Sequence, residues 1–189
     1  MFSKISQFIL WLFGWKVEKL ETYEKSYVIL AAPHTSNWDF FIGRLAISVA
    51  GIPQKVLMKK EWFFFPLNYF FKAMGAMPID RKGSVKMVDY IVELFNKKND
   101  FVFSISPEGT RSYVEKWKTG FYHIATKANV PILLGKMDYS LKLVQFTKFV
   151  YPTGDFNKDF EEIISYFKDA NGRFPKKFNP QPSNIEYQN

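Results

Sequence analysis

The tightest constraint on this chain is an apolar run that ends on a helix-start signal. Residues 27–32 (YVILAA) read as a buried strand. A few residues on, Ser36-x-x-Asp39 has the form of a capping box opening a helix that runs to about Ala50. His34 lies between the two. On one continuous helix, five residues is about 500° of rotation, so the side chains of His34 and Asp39 would diverge by about 140°. They can meet only if His34 precedes the helix and Asp39 lies in its first turn. The spacing therefore predicts strand, tight turn, helix, with the imidazole at the strand end and the carboxylate folding back on it. The chain has two His and no Cys, so few side chains can carry acid–base chemistry near neutral pH, and His34 is the best placed. A capping box and the helix dipole also account for Asp39 without catalysis, and a single His in a turn is often a polar surface residue.

Two further segments carry chemistry. Residues 106–111 (SPEGTR) follow a strand-like run over 101–105. Gly109 permits positive φ, so successive N–H groups can turn inward as an anion nest. Arg111 adds a planar fork suited to phosphate oxygens. Taken alone, the segment is also a strand-ending turn with a solvated Arg. Residues 75–81 (GAMPIDR) read as an apolar strand ending in Asp-Arg, or simply as a surface ion pair.

In order, HTSNWD, GAMPIDR and PEGTRS resemble the glycerolipid acyltransferase family, which includes 1-acylglycerol-3-phosphate acyltransferases. That family carries H-x-x-x-x-D, a Gly…Ile-Asp-Arg block, Pro-Glu-Gly-Thr-Arg and a final Val-Pro-Ile block, here residues 130–132. The resemblance covers about residues 28–136. Lys59 aligns with the family's phosphate-facing Lys, and residues 117–120 (WKTG) resemble its Phe-Lys-x-Gly step. Pro33 stands where the family commonly has Asn, and Leu134-Gly135 where the last block usually ends in Pro-Val. These departures bear on the acyl acceptor more than on the reaction.

The resemblance implies transfer of a fatty acyl group from a thioester, on coenzyme A or acyl carrier protein, to a hydroxyl of a lysophospholipid such as 1-acylglycerol-3-phosphate. His34 would be the general base and Asp39 its orienting acid. The substrate's own hydroxyl would be the nucleophile. Lys59, Arg81 and Arg111 would clamp the acceptor phosphate. Glu108, Gly109 and Thr110 would belong to the same acceptor site. No metal or bound cofactor is implied, because the thioester is a co-substrate. Close alternatives are a non-glycerophosphate lyso-lipid acceptor, or a lipid hydrolase using the same base on water.

Composition bounds the rest. A chain of 189 residues holds one sizeable core. We divide it into an amphipathic helix at 1–20, a catalytic domain at 21–170 and an irregular tail at 171–189. It has no run of 18 or more apolar residues, and no secretory cleavage pattern is evident. The absence of Cys excludes thiol catalysis and a disulfide framework, and two His make a zinc site improbable. A net charge of +8 with 21 Phe asks for a partner that is both anionic and oily. Nucleic acid meets only the first need, and the aromatics fall in blocks instead of interleaving with Lys and Arg. A membrane surface meets both, which predicts peripheral attachment, and the lack of Cys fits its cytoplasmic face. Residues 1–15 place Phe2, Ile5, Ile9, Leu12 and Phe13 at helical spacing, as an interfacial helix or one docked on the core. The uncharged block 62–71 is either core or a way in for an acyl chain. A basic nucleic-acid module, or a membrane-surface protein without catalysis, is the remaining rival.

Strand-like segments at 55–58, 131–135 and 141–149 alternate with helical patterns at 67–73, from Ser84, at 120–128 and at 156–168. The alternation predicts an α/β fold. Its mixed, largely parallel sheet is flanked by helices on both faces, with the amphipathic helix at the N-terminus. His123, inside a predicted helix, reads as a side chain that packs or points its ring to solvent.

Overall fold

Strand β2 (Tyr27–Ala32) is the central element of the sheet. The computed structural model describes residues 2–59, 63–66, 68–69, 76–79, 84–98 and 100–183. Around β2 lie β1 (Lys16–Lys19), β3 (Gln54–Lys59), β4 (Ala76–Ile79), β5 (Val102–Ile105), β6 (Ile132–Asp138) and β7 (Leu143–Val150). The spatial order is β1-β7-β6-β2-β5-β3-β4. Five strands, β6-β2-β5-β3-β4, run parallel, and β7 returns antiparallel to β6 with β1 parallel to β7. The sheet is therefore mixed and largely parallel, as the alternation of elements predicts.

Among the described residues the helices are α1 (Phe2–Leu12), α2 (Asn37–Ala50), α3 (Ser84–Lys97), α4 (Gly120–Ala128) and α5 (Phe156–Phe167). The predicted helix at 67–73 lies almost wholly outside the described residues. Both faces of the sheet are covered, because successive side chains of a strand point to opposite sides. Val28, Leu30 and Ala32 pack on one face with Ile91 of α3, Phe121 and Ile124 of α4, and Phe160 and Phe167 of α5. Tyr27 and Ile29 pack on the other with Leu10 of α1 and Ala46, Ile47 and Ala50 of α2. This double burial is why β2 is apolar throughout rather than alternating.

The parallel direction puts the C-terminal ends of β2, β3, β4, β5 and β6 on one edge. The helix after β2 (α2) lies on one face, and the helix after β5 (α4) lies on the other. Neighbouring strands whose following helices diverge in this way open a crevice at their carboxyl ends, the usual ligand position in such sheets.

The N-terminal segment is less helical than the 1–20 assignment. Helix α1 stops at Leu12, Gly14 turns the chain at φ 74°, and Lys16–Lys19 form edge strand β1. Gly14 closes the helix with one N–H bond to the Trp11 carbonyl, and the Trp15 N–H donates to the Leu10 carbonyl. The strand KVEK is charged and solvent-facing, so it leaves no apolar signature. Helix α1 buries Ser6 and Leu10 and exposes Ile5, Phe8, Trp11 and Leu12. It is both docked on α2 and apolar outward. No helix among the described residues is long and apolar enough to cross a membrane.

After α5 the chain crosses back over the carboxyl edge as a strap. Asn171 exchanges bonds with the β6 end: its N–H donates to Asp138 Oδ2 at 3.2 Å, and its carbonyl accepts from Tyr139 N at 2.8 Å. Phe178 is buried, and Asn179 reaches the Val114 and Glu115 carbonyls.

Candidate active site

The turn between β2 and α2 builds the site from local chemistry. Ser36 is the N-cap, in extended backbone, and both halves of the capping box are made. The Ser36 hydroxyl accepts from Trp38 N at 3.2 Å. The Asp39 carboxylate folds back to accept from Thr35 N at 2.6 Å and Ser36 N at 2.8 Å, both at Oδ2. The same Oδ2 faces His34 Nδ1 at 3.5 Å, an ion-pair distance looser than a tight hydrogen bond. Nδ1 is therefore held toward Asp39, and Nε2 is the nitrogen left to meet a substrate. The imidazole is about one-third exposed, whereas Asp39 is buried.

Residues distant in sequence lock this pair from two sides. From the β6 side, the Tyr139 hydroxyl donates to Asp39 Oδ1 at 2.6 Å. Burial alone would raise the Asp39 pKa, but bonds from His34, Tyr139 and the Ser36 and Thr35 amides outweigh it. The carboxyl is held below its ordinary range and stays ionised. The same contact, with burial leading, pushes the Tyr139 phenol well above its ordinary value.

From the β5 side, Glu108 is 1% exposed. Its Oε1 accepts the His34 backbone N–H at 2.9 Å, and its Oε2 accepts from the Ser106 hydroxyl at 2.7 Å. Burial raises the Glu108 carboxyl above its usual range, against those two donors. Both carboxylate oxygens of Glu108 are thus spent inside the protein, under the loop that carries His34.

Gly109 adopts the expected left-handed conformation at φ 66°. Its N–H bonds Ser106 O at 3.3 Å, so that donor closes the turn. The Lys118 side chain lies against it, since a Cβ on Gly109 would meet Lys118 Nζ at 2.8 Å. Thr110 and Arg111 are exposed on the same loop, and Thr110 Oγ1 accepts from Ser112 N at 3.4 Å. Lys59 ends β3 at the same edge; its side chain is not described. Arg81 lies outside the described residues, two positions past β4. The structure thus brings together His34, Asp39 and Glu108 and puts the Gly109 loop beside them. His123 sits in α4, where burial and the nearby Lys127 lower its pKa. Among the described residues no cluster of His, Cys, Asp and Glu could hold a metal ion.

Sequence reasoning missed Tyr139, Ser106 and Lys118 as site residues. Lys118 stood inside the WKTG step and could have been noticed there. Tyr139 had no signal, because only the pairing of β6 with β2 places it.

Residues 14–133 match the family model described as Acyltransferase. The chain belongs to the acyltransferase family. It is 34% identical over 131 residues to the 1-acyl-sn-glycerol-3-phosphate acyltransferase of Escherichia coli (strain K12), covering 65% of this chain and 52% of that relative. It is 31% identical over 126 residues to the enzyme of the same name from Saccharomyces cerevisiae, covering 62% and 41%. The chain spans about half the length of the curated relatives it matches. Among solved structures it resembles the 1-acyl-sn-glycerophosphate (LPA) acyltransferase PlsC from Thermotoga maritima, with a TM-score of 0.57 and 16% identity over 87% of this chain and 76% of that one. That likeness shows the acyltransferase fold. His34, Asp39 and Glu108 lie inside the matched residues, and Tyr139 lies beyond them.

Proposed function

We propose that this chain transfers a fatty acyl group from a thioester to a free hydroxyl of a lysophospholipid of the 1-acylglycerol-3-phosphate class. The observation that carries the reading is the His34–Asp39 pair, fixed by the capping box and by Tyr139 at the carboxyl edge of a parallel sheet. The names of the curated relatives support the acceptor class.

The chemistry follows from the free nitrogen. His34 Nε2 takes the proton of the acceptor hydroxyl as its oxygen attacks the thioester carbonyl. The ionised Asp39 stabilises the imidazolium, as the acid does in a serine-protease triad. The tetrahedral intermediate then expels the thiolate, which takes the proton from His34. An oxygen–carbon bond forms, a carbon–sulfur bond breaks, and the base is regenerated. No metal or resident cofactor is needed in this scheme. Lys59, Arg81 and Arg111 supply charge for the acceptor phosphate, with Gly109 and Thr110 on the adjoining loop. The donor carrier is coenzyme A or acyl carrier protein.

The product of this reaction is a membrane lipid, and the surface suits a membrane. Phe8, Trp11 and Phe13, in and just beyond α1, are 60–70% exposed, and Trp38 and Phe41 of α2 are also exposed. With the net charge of +8, this face fits an anionic bilayer surface. We place the enzyme there, on the cytoplasmic side.

The test is a product assay. Purified protein, a panel of acyl thioesters and lysophospholipids, and mass spectrometry should reveal the diacyl product. His34→Ala should lower turnover by about 10²–10⁴-fold, the usual worth of a positioned base, while the protein still folds. Near wild-type turnover in that variant would refute the base assignment. Free fatty acid appearing without acceptor would point to hydrolysis instead.

A further inference from the structure

On the β6 side of the catalytic pair lies a feature that no sequence motif covers. A cavity of about 380 Å³ sits between α1 and α2, lined by apolar groups such as Ile9, Phe13, Phe41 and Leu45. Its size falls in the range of ligand pockets. Tyr139, whose hydroxyl holds Asp39, lines the same cavity. The acyl-sized apolar space therefore touches the support of the proposed base.

Two cations also line it, Lys142 and Arg173. Lys142 is tied to the end of α1, because its Nζ donates to the Phe13 carbonyl at 3.1 Å. Arg173 is held differently. Its guanidinium lies 5.5 Å from the Trp38 ring centroid and 5.9 Å from that of Phe174. It has no acidic partner among the described residues. Aromatic faces hold and orient such a fork while leaving its N–H donors unused.

The strap fixes this arrangement beside the base. Phe174 N donates to Thr35 Oγ1 at 3.3 Å. Gly172 lies so close to Thr35 that an added Cβ would stand 2.7 Å from Thr35 Cγ2. Thr35 is the residue after His34, so Arg173 sits between two contacts to the catalytic turn. Of the cations carried over by resemblance, Lys59 ends β3 and Arg111 follows β5, both across β2 from β6. Arg173 also lies beyond the residues matched to the family.

An apolar cavity beside an uncommitted guanidinium has the character of a phosphate-bearing acyl amphiphile. We propose that Arg173 binds a phosphate of the substrate whose acyl chain fills this cavity, and so selects among acyl substrates. The inference rests on the acyl-transfer reading above. The phosphate has two possible sources: the glycerol phosphate of the lyso-lipid, or the phosphates of the thioester carrier.

Steady-state kinetics and equilibrium binding on the full chain separate them. The acceptor arm compares 1-oleoylglycerol-3-phosphate with 1-oleoylglycerol. The donor arm compares palmitoyl-coenzyme A with the palmitoyl thioester of N-acetylcysteamine. Binding uses 1-oleoylglycerol-3-phosphate alone and the non-reacting hexadecyl thioether of coenzyme A. Arg173→Ala should raise KM and Kd for one phosphate-bearing substrate by about tenfold, as for loss of a charge-assisted bond. Its phosphate-free counterpart should respond much less, kcat should change less than KM, and Arg173→Lys should lie between. The arm that responds names the source. Equal losses on a substrate and its phosphate-free counterpart, or no change in either arm, would overturn the proposal. Wild-type protein that transfers to no lysophospholipid would refute the acyl-transfer reading, while the two binding titrations would still decide the role of Arg173.

Discussion

Glu108 spends a buried carboxylate on one backbone N–H, that of His34. Its other oxygen accepts from Ser106, and a hydroxyl can reverse and accept instead. Glu108→Gln can therefore keep both contacts while removing a buried charge. Its thermal midpoint at pH 7 should be at or above that of wild type. Glu108→Ala strands the His34 N–H, which should cost about 1–3 kcal/mol. Comparing the variants' KM for a lysophospholipid tests the two roles. A carboxylate that touched the acceptor would make Gln as damaging as Ala. Tyr139 is the second such residue. Tyr139→Phe removes a bond to a charged, buried Asp39, an expected loss of about 1.5–3 kcal/mol in urea unfolding. The sign with pH follows from the depressed Asp39 pKa. Its stabilising contribution is present above the ordinary aspartate value of about 4 and is lost as pH falls through the lower folded value. The gap between variant and wild type should therefore be present at neutral pH and close in strong acid.

At the scale of elements, the strap over the carboxyl edge couples the segment after α5 to the turn that carries His34. Gly172 is buried, and an added Cβ would meet Thr35 Cγ2 at 2.7 Å, Thr35 Oγ1 at 2.8 Å and Pro33 Cβ at 3.2 Å. Thr35 is itself buried and holds both Asp39 and the strap, so it has little room to yield. Gly172→Ala should destabilise by about 1–3 kcal/mol, the usual cost of overpacking. It should also lower kcat, because the displaced Thr35 amide supports Asp39. Wild-type stability and turnover in Gly172→Ala would mean that the strap moves freely from the site.

For the whole molecule, the proposed attachment to a bilayer is the property that no single element decides. Helix α1 cannot simply be deleted as a test, because Leu10 and Trp15 belong to the core. The double variant Phe8→Ser, Trp11→Ser alters only exposed side chains. Each apolar group inserted in the interface contributes at most about 1.5–3 kcal/mol. The double variant should float poorly with anionic vesicles, and salt should weaken wild-type flotation by screening the basic surface. Unchanged flotation would move the contact to another apolar surface, such as exposed Phe64, Phe65 and Tyr69.

Local grammar settled what lies within a few residues of itself. The apolar YVILAA run could only be buried on two faces, and Ser36 and Asp39 could only cap a helix by folding back toward His34. Positive φ at Gly109 was equally legible, because a turn of that kind needs a residue without a Cβ. Edge strand β1 was not, since a charged, solvated strand shows no hydrophobic period. Nor could the sequence say which strands are neighbours. That pairing puts Tyr139 on Asp39 and turns Glu108 inward beneath His34, and the strap after α5 lays Arg173 across Trp38. Each is a contact between residues distant along the chain. Such contacts depend on how the sheet orders its strands, a balance of packing across the whole core that no short segment encodes.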